Sequence, residues 1–189
     1  MRLRDRDVRK KLLQLLQLQY GKDEQTRIIN ELGMDFGASR VDVAVVNGIL
    51  HGYEIKSESD NLNRLPRQMS YYNRLFEQMT IVVDESHYQE IINIVPPWWG
   101  IMLVKKKKND FQLVPKREGR KNNSQEKEIL LKLLWKRELE KFIDVFHYPK
   151  RMKRLRKDKL VEQFQEQELY AIREFVYHAL KVRENWRKD

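Results

Sequence analysis

Three charged residues interrupt a stretch that otherwise has the composition of a β-hairpin. Asp42 lies in the first half of residues 40–60 (RVDVAVVNGILHGYEIKSESD), and Glu54 and Lys56 lie in the second half. Valine and isoleucine surround them, and Asn47-Gly48 marks a turn between the two halves. Because an unpaired charge is costly inside a packed sheet, we expect these three side chains to serve chemistry.

Two carboxylates and an ammonium group held close together suit the hydrolysis of phosphodiester bonds. Neighbouring carboxylates repel each other, and each resists ionisation unless a cation joins them. Mg²⁺, or Mn²⁺ in its place, suits Asp42 and Glu54, since Mg²⁺ takes a few carboxylate oxygens and keeps its waters. Such a metal would hold a phosphate and activate a water molecule. Lys56 would orient that water or neutralise the charge that develops on the phosphate.

This chemistry requires the two acids to lie on the same face of the sheet. Side chains alternate along a strand, so Glu54 and Lys56 share one face. A tight two-residue turn at Asn47-Gly48 would place Asp42 on the opposite face. Such a turn, without a compensating bulge, would contradict the metal site.

A shift of one residue in the pairing would bring Asp42 to the face of Glu54. A three-residue loop at residues 46–48, with Gly48 in the left-handed conformation, would produce this shift. An extra residue bulged near Gly52 would have the same effect. We therefore predict that the pairing of the two strands is shifted by an odd number of residues from the register that a two-residue turn would give.

Hydrophobic periodicity predicts the elements that carry these residues. Gly21 is a stop signal for the first helix, and Pro66 suits the first turn of the second. Residues 26–34 suit a strand or a short helix, and we favour a strand. The expected helices span 5–19, 62–76 and 86–95, and the other expected strands span 40–46, 49–57, 79–83, 100–104 and 111–115. This order predicts an α/β protein with a mixed sheet flanked by helices.

The composition changes near residue 118. Residues 118–125 (EGRKNNSQ) indicate a polar linker, and no strand pattern follows them. We expect helices rich in charged residues and glutamine over 124–142, 150–167 and 167–187, with Tyr148-Pro149 breaking the series. The chain therefore divides into a core of residues 1–117 and a basic, all-helical extension of residues 118–189.

Composition limits the class of protein and its partners. The 189-residue chain has a net charge of +10, which favours nucleic acid as partner, with a merely basic surface as the alternative. It contains no cysteine, so a bound metal must be a hard ion held by oxygen. No apolar run has the length of a membrane span, and the N-terminus lacks a signal peptide. We expect a soluble cytoplasmic protein without a membrane partner.

The spacing of the charged residues resembles a known signature. Asp42 followed by Glu54-Ile55-Lys56 resembles the motif of the PD-(D/E)xK nuclease superfamily. Gln68 and Tyr72 resemble the Gln-x-x-x-Tyr helix motif of RecB-type members, which adjoins the active site there. The wider pattern over residues 40–68 resembles a small uncharacterised bacterial and phage family within the superfamily.

The resemblance covers residues 1–115 and implies a fold, an activity and a set of site residues. The fold is a restriction-endonuclease-like sheet, and the activity is Mg²⁺- or Mn²⁺-dependent cleavage of DNA, less favourably RNA, in phage biology, defence or repair. The implied catalytic residues are Asp42, Glu54, Lys56, Gln68 and Tyr72. The chain departs from the pattern at Val41, which replaces the proline of the motif, and it has no cysteines for the iron–sulfur cluster of many RecB-type members.

Further residues are candidates for the metal and for the substrate. Glu31 resembles the upstream acid that many members contribute as an additional metal ligand, and a solvated glutamate is the alternative. Residues 150–159 (KRMKRLRKDK) contain seven basic residues and one acid, which favours a helix that binds nucleic acid over a merely solvated one. The residues expected to contact nucleic acid are Arg40, Arg64, Lys105, Lys106, Arg151, Lys153 and Arg154.

Two other functions compete with the nuclease. The first is a catalytically inactive nucleic-acid-binding or adaptor protein on the same fold. The second assigns the helical extension to a protein partner or to self-association, with the enzyme as one subunit of an assembly.

Overall fold

The computed structural model describes residues 3–34, 39–108, 110–184 and 186. Within these ranges the chain forms six strands and seven α-helices. The strands are β1 (Arg27–Met34), β2 (Ser39–Val46), β3 (Leu50–Lys56), β4 (Gln78–Asp84), β5 (Gly100–Lys106) and β6 (Phe111–Arg117). The helices are α1 (Asp5–Tyr20), α2 (Leu65–Leu75), α3 (Tyr88–Ile94), α4 (Lys127–Lys132), α5 (Lys136–Val145), α6 (Lys157–Phe164) and α7 (Leu169–Val182).

The six strands form one mixed sheet in the order β1-β2-β3-β4-β5-β6. The pairs β1–β2, β2–β3 and β5–β6 are antiparallel, whereas β3–β4 and β4–β5 are parallel. Parallel neighbours need a crossover, and α2 and α3 provide the two crossovers. The prediction of a mixed sheet flanked by helices, with helices in the C-terminal part, is confirmed.

The helix α1 covers one face of the sheet. Val8, Leu12 and Leu16 recur every four residues, which places them on one stripe of the helix, and all three are fully buried. They pack with residues of β2 and β3 that include Val43 and Ile55. The N-terminal helix is thereby held against the strands that carry Asp42 and Glu54.

The helix α2 and the helical extension cover the other face. Leu65 and Tyr72 of α2, Leu130 of α4 and Val176 of α7 belong to one continuous core cluster. Residues 118–125, expected as a linker, contain no helix or strand but are not a solvated connection. Within this segment the side chains of Asn122 and Gln125 are buried. They donate hydrogen bonds to backbone carbonyls at the end of α2 and just beyond it.

The expected helix bounds in the extension are partly wrong. The expected helix 124–142 is two helices, because Trp135 starts a new one and its N–H donates to the Glu138 side chain at 2.7 Å. The expected helix 150–167 is a 3₁₀ segment, Lys150–Arg154, followed by α6, because Leu155 and Arg156 are extended. The expected helix 167–187 corresponds to α7, which ends earlier, at Val182, and residues 185 and 187 lie outside the described part of the chain. The remaining expected elements, including the strand at 26–34, agree with the structure within a few residues.

No helix among the residues given above combines the length and the apolar character needed to cross a bilayer.

Candidate active site

The loop between β2 and β3 sets the register of the candidate site. Val46 pairs with Leu50, so residues 47–49 form a three-residue loop. Gly48 has φ of 67°, the left-handed conformation that glycine adopts without strain. The predicted odd shift and the left-handed Gly48 are confirmed, while the loop begins one residue later than the expected 46–48.

β2 and β3 separate at the two predicted acids. The last pair between the strands is Val43 with Tyr53, so Asp42 and Glu54 follow directly after it. Oδ2 of Asp42 accepts the backbone N–H of Ile55 at 2.7 Å. A side-chain oxygen of β2 thus accepts a hydrogen bond from a backbone amide of β3 at the point where the pairing of the two strands ends. The two acids lie where β2 and β3 separate.

β2 also loses regular geometry on its other side at Asp42. The register between β1 and β2 skips Glu31 and Asp42, and Glu31 has φ of 55°. Val41 packs in the core with α2, whereas Val43 packs in the core with α1. Residues two apart in a regular strand share a face. Strict alternation therefore does not hold at Asp42, and its carboxylate is placed by local contacts instead.

Glu54 is buried beneath α2 and is surrounded by donors, with only 2% of the residue exposed. Nζ of Lys56 lies 2.5 Å and Nε2 of Gln68 lies 2.8 Å from Oε1 of Glu54. The hydroxyl of Tyr72 donates to Oε2 of Glu54 at 2.7 Å. Gln68 and Tyr72 are one helical turn apart, so both reach the same carboxylate. Four of the five predicted catalytic residues therefore form one network.

Further hydrogen bonds fix the donors of this network. Nζ of Lys56 also donates to Oε1 of Gln68 at 3.1 Å. The Tyr72 hydroxyl lies 2.8 Å from the carbonyl of Arg40 and is near enough to donate to it instead of to Glu54. Burial, and then the negative charge of Glu54, raise the pKa of the Tyr72 hydroxyl. Tyr72 therefore stays protonated and acts as a donor.

The Asp42 carboxylate is electrostatically coupled to Glu54. Burial and then the charge of Glu54 raise the pKa of Asp42 to about 7, although the Ile55 amide and Arg9 act to lower it. Nη2 of the Arg9 guanidinium lies 2.6 Å from Oδ1 of Asp42. The fifth predicted catalytic residue is therefore close enough to the network for its ionisation to depend on Glu54.

Arg9 is a site residue that sequence reasoning missed. Its guanidinium lies 2.8 Å from Asp5, 2.9 Å from Glu31 and 2.6 Å from Asp42, and its side chain is 15% exposed. A signal for it was present in the sequence, because Arg9 adjoins the buried stripe of α1 at Val8 and follows Asp5 by one turn. The signal did not identify the acids of β1 and β2 as partners.

Glu31, the expected additional metal ligand, is bound by two arginines. Arg9 contacts one of its carboxylate oxygens and Arg40 contacts the other, both at 2.9 Å. Among the residues that the structure describes, no group of three histidine, aspartate or glutamate side chains is arranged to hold a metal ion.

Asp42 and Glu54 nevertheless have the chemistry of a two-carboxylate site for a hard cation. Each oxygen of Asp42 accepts one hydrogen bond and retains a second lone pair. Oε2 of Glu54 accepts from Tyr72 and likewise retains one. Mg²⁺ needs only one or two protein carboxylates, because it keeps several waters. The oxygen atoms of Asp42 and Glu54 therefore suit such an ion, and the role of Glu31 as an additional ligand stays a prediction.

The two lysines expected to contact nucleic acid at the β5–β6 hairpin lie close to acids. Nζ of Lys106 lies 2.6 Å from Glu58, and Nζ of Lys105 lies 3.5 Å from Glu85. These side chains are more than one-third exposed. Solvent-exposed pairs of this kind contribute little to stability, so a polyanion could replace the acids as partner.

The other expected nucleic-acid contacts lie at the start of α2 and in the 3₁₀ segment. Arg64 is exposed and precedes Gln68 by one helical turn. Arg151 and Arg154 are exposed, whereas Lys153 is half-buried and lies 2.7 Å from Asp144. The basic segment is therefore not the regular helix that was expected, and its two arginines are more available to a ligand than its central lysine.

The fold and these contacts define an α/β protein with a buried carboxylate–lysine site at the opening of a mixed sheet. Residues 1–188 match the family described as Bacteriophage P4 protein cII, and the chain belongs to that family. Protein cII of Enterobacteria phage P4 is 29% identical over 181 residues, which covers 96% of this chain and 68% of the relative. Among solved structures, a protein of unknown function from Silicibacter pomeroyi is similar over 64% of this chain and 70% of its own, with 20% identity and a TM-score of 0.39.

Proposed function

We propose that the protein is a metal-dependent nuclease that hydrolyses phosphodiester bonds of DNA, with RNA as the less favoured substrate. The observation that carries the proposal is the network of Glu54 with Lys56, Gln68 and Tyr72, joined electrostatically to Asp42. An acid whose pKa is strongly perturbed and whose charge partners can be named, as with Asp42, is typical of a functional site. The resemblance to the PD-(D/E)xK motif assigns this same set of residues to catalysis.

The network is difficult to explain as a device for stability. Replacing a buried ion pair by well-packed apolar residues is often neutral or stabilising, because each charge loses its hydration on burial. Glu54 and Lys56 lie on a strand whose other residues pack well, with Tyr53 and Ile55 in the core beside α1. Apolar residues at 54 and 56 would suit the fold, so function is the better reason for the charges.

The proposed roles follow from the positions of the side chains. Asp42 and Glu54 would hold Mg²⁺ or Mn²⁺, which when bound polarises a phosphate and lowers the pKa of a coordinated water. Lys56 would stabilise the charge that develops on the phosphate, since its ammonium is already held at Glu54. Gln68 and Tyr72 would be positioning residues, because their hydrogen bonds fix both the carboxylate and the ammonium.

The exposed cations around the site support a polyanionic substrate. Arg64 stands one turn before Gln68, and Arg40 adjoins the site through its carbonyl contact with Tyr72. The phage origin of the cII relative supports a role in phage biology. The proposal places that role in the cytoplasm, with DNA as the substrate. The helical extension would add contacts to the nucleic acid backbone, or dock a protein partner or a second copy.

One observation favours the alternative of an inactive nucleic-acid-binding or adaptor protein. Arg9 already contacts both Asp42 and Glu31, so part of the negative charge that would attract a metal is neutralised by the chain itself. A protein that had given up catalysis could keep the network as a structural remnant and still bind DNA through its basic surface.

Cleavage assays separate the two functions. The purified chain is incubated with end-labelled single-stranded and double-stranded DNA, and with RNA, in Mg²⁺, in Mn²⁺ and in EDTA. We expect cleavage of DNA that requires the metal. Glu54→Gln and Lys56→Met should each lower the rate by roughly 10²-fold or more, because each removes a group proposed to act in the transition state.

A matched variant guards against an indirect effect of reduced charge. Glu58→Gln removes an exposed acid two residues beyond Lys56, where it contacts Lys106 and not the network, so its cleavage rate should equal that of the wild type. Absence of metal-dependent cleavage on every substrate, with DNA binding intact, would leave the adaptor as the function.

A further inference from the structure

The guanidinium of Arg9 is a cation that already lies among the acids of the candidate site. It is within 2.9 Å of three carboxylates that come from different parts of the sequence, Asp5, Glu31 and Asp42. Its contact with Oδ1 of Asp42, at 2.6 Å, is the shortest of the three. Arg9 therefore neutralises the same carboxylate that is proposed to hold a metal ion.

Two cations that share one carboxylate compete for it. At short range two positive charges repel each other strongly, and the repulsion is larger at a half-buried site than in water. The side chains of Arg9 and Asp42 are only 15% and 20% exposed, so solvent screens little of this repulsion. A divalent ion with Asp42 as ligand is therefore disfavoured for as long as Arg9 keeps its contact with Oδ1.

We propose that Arg9 is the resident cation of the site, and that divalent metal and Arg9 bind Asp42 in competition. This inference rests on the proposed metal-dependent function of Asp42 and Glu54. When the metal binds, the guanidinium leaves Asp42 and remains with Asp5 and Glu31. The arginine then acts as an internal competitor that lowers the metal affinity of the site.

The exchange needs only a movement of one side chain. The helix α1 is anchored by Val8, Leu12 and Leu16, which are fully buried and do not depend on Arg9. Asp5 lies one turn before Arg9 on the same helix, and its carboxylate is 2.8 Å from Nη2 of Arg9. The arginine is therefore retained beside the site and returns when the metal leaves.

Metal binding to the purified chain tests the proposal without any substrate. Mn²⁺ is titrated by calorimetry into the wild type and into Arg9→Gln, which removes the charge and keeps a polar side chain. We expect the Mn²⁺ dissociation constant to fall on the order of tenfold in Arg9→Gln, a usual size for coupling between two sites. The control is Lys10→Gln, which removes one charge from the neighbouring, exposed position of the same helix.

Thermal melting supplies a second readout of the same competition. Arg9→Gln leaves three acids with one partner fewer, so its melting temperature in EDTA should fall below that of the wild type. Addition of Mn²⁺ should raise the melting temperature more in Arg9→Gln than in the wild type, since tighter binding to the folded state stabilises more. If Arg9→Gln does not fold, Arg9→Met replaces it, because methionine also removes the charge and keeps a long, unbranched side chain.

Each outcome decides the proposal. Tighter Mn²⁺ binding in the Arg9 variant, with Lys10→Gln unchanged, supports the competition. Equal or weaker binding overturns it, as does the absence of Mn²⁺ binding in every form. A wild type that binds Mn²⁺ competitively but cleaves no nucleic acid keeps this inference and rejects the nuclease, whereas metal-dependent cleavage with an unchanged affinity in Arg9→Gln keeps the nuclease and rejects this inference.

Discussion

The carboxylate of Asp42 accepts the backbone amide proton of Ile55 at 2.7 Å, and this contact joins β2 to β3 where their ladder stops. The side chain of Asp42 is therefore held by the backbone of the strand that carries Glu54. An asparagine could keep this hydrogen bond through its amide oxygen while removing the charge. Asp42→Asn is for this reason a sharper variant than Asp42→Ala, which would leave the Ile55 amide without an acceptor.

The first prediction is that Asp42→Asn changes how stability depends on pH. The pKa of Asp42 is about 7 in the folded chain, against about 3.9 for an unfolded aspartate. Between these values the folded state binds more protons, so Asp42 lowers stability as the pH rises from about 4 to about 7. Asp42→Asn should therefore gain on the wild type over this window, by at most about 4 kcal/mol above pH 7. Urea unfolding at several pH values measures the difference, and a constant difference would contradict it.

The second prediction concerns His51, whose burial lowers its pKa to about 4. An unfolded histidine has a pKa of about 6.5, so the unfolded state binds more protons between these values. Stability from His51 is therefore lost as the pH falls from about 6.5 to about 4, opposite in sign to Asp42. His51→Gln should be less sensitive to acid than the wild type in urea unfolding. Because the two contributions oppose each other over nearly the same pH window, the double variant with Asp42→Asn should have a pH profile closer to that of the wild type than either single variant has. A double variant that departs further from the wild type than the single variants do would contradict both assignments.

The sequence was sufficient for the features that depend on local pattern. Gln68 and Tyr72 are four residues apart in a helix, so their convergence on one carboxylate follows from helical geometry. Glu54 and Lys56 are two apart in a strand and share a face for an equally local reason. The order of strands and helices along residues 1–117 also followed from the alternation of their hydrophobic patterns.

The position of Asp42 and the part played by Arg9 could not be derived in the same way. Asp42 lies where both neighbouring strands lose their pairing, and the left-handed Glu31 is a non-glycine residue that no turn signal marks. The contact between Arg9 and Asp42 joins residues 33 apart, and it depends on how α1 packs on the sheet. Tertiary packing, rather than local conformational preference, determines both the position of Asp42 and its contact with Arg9.

The third prediction concerns the hydrogen bond from Tyr72 to Glu54. Tyr72→Phe keeps the buried ring but removes a donor to a buried carboxylate, which should cost about 1.5–3 kcal/mol of stability. If Tyr72 positions Glu54 for catalysis, the rate of cleavage should also fall while substrate binding is kept. Tyr71→Phe is the matched control, because Tyr71 is the neighbouring tyrosine of α2 and is also packed against the core. Equal stability of Tyr72→Phe and the wild type, by urea unfolding, would contradict the assignment.

The fourth prediction concerns a buried hydrogen bond that joins the helical extension to the core. The Tyr177 hydroxyl donates to Oε2 of Glu77 at 2.6 Å, and Glu77 is 3% exposed. Tyr177→Phe should cost about 1.5–3 kcal/mol, because it removes a hydrogen bond to a buried charge. Tyr170→Phe is the control, since that residue is 72% exposed.

Core and extension should unfold in a single transition, because one apolar cluster runs through both. Circular dichroism and tryptophan fluorescence should give the same denaturation midpoint, and Tyr177→Phe should shift both equally. A separate early transition in the extension, with the sheet intact, would show instead that residues 118–189 fold as an independent unit.

The last prediction concerns the basic 3₁₀ segment. Arg151 and Arg154 are exposed, whereas Lys153 is held by Asp144, so the two arginines should carry most of the binding of this segment to nucleic acid. The double variant Arg151→Gln, Arg154→Gln should weaken DNA binding for every sequence tested. The dependence of log affinity on log salt should flatten by a slope of about 0.7–0.9 for each phosphate group that the variant no longer neutralises.

The size of the effect should distinguish the residues of the segment. Lys153→Gln should change affinity less than Arg151→Gln alone or Arg154→Gln alone, because the Lys153 ammonium already has a partner. Lys141→Gln, an exposed lysine of α5, serves as the control for a general reduction of charge. Cleavage at saturating DNA should be unchanged, because these residues lie outside the Asp42–Glu54–Lys56 network. Unchanged affinity together with an unchanged salt slope would assign the segment to a protein partner or to a second copy of the chain.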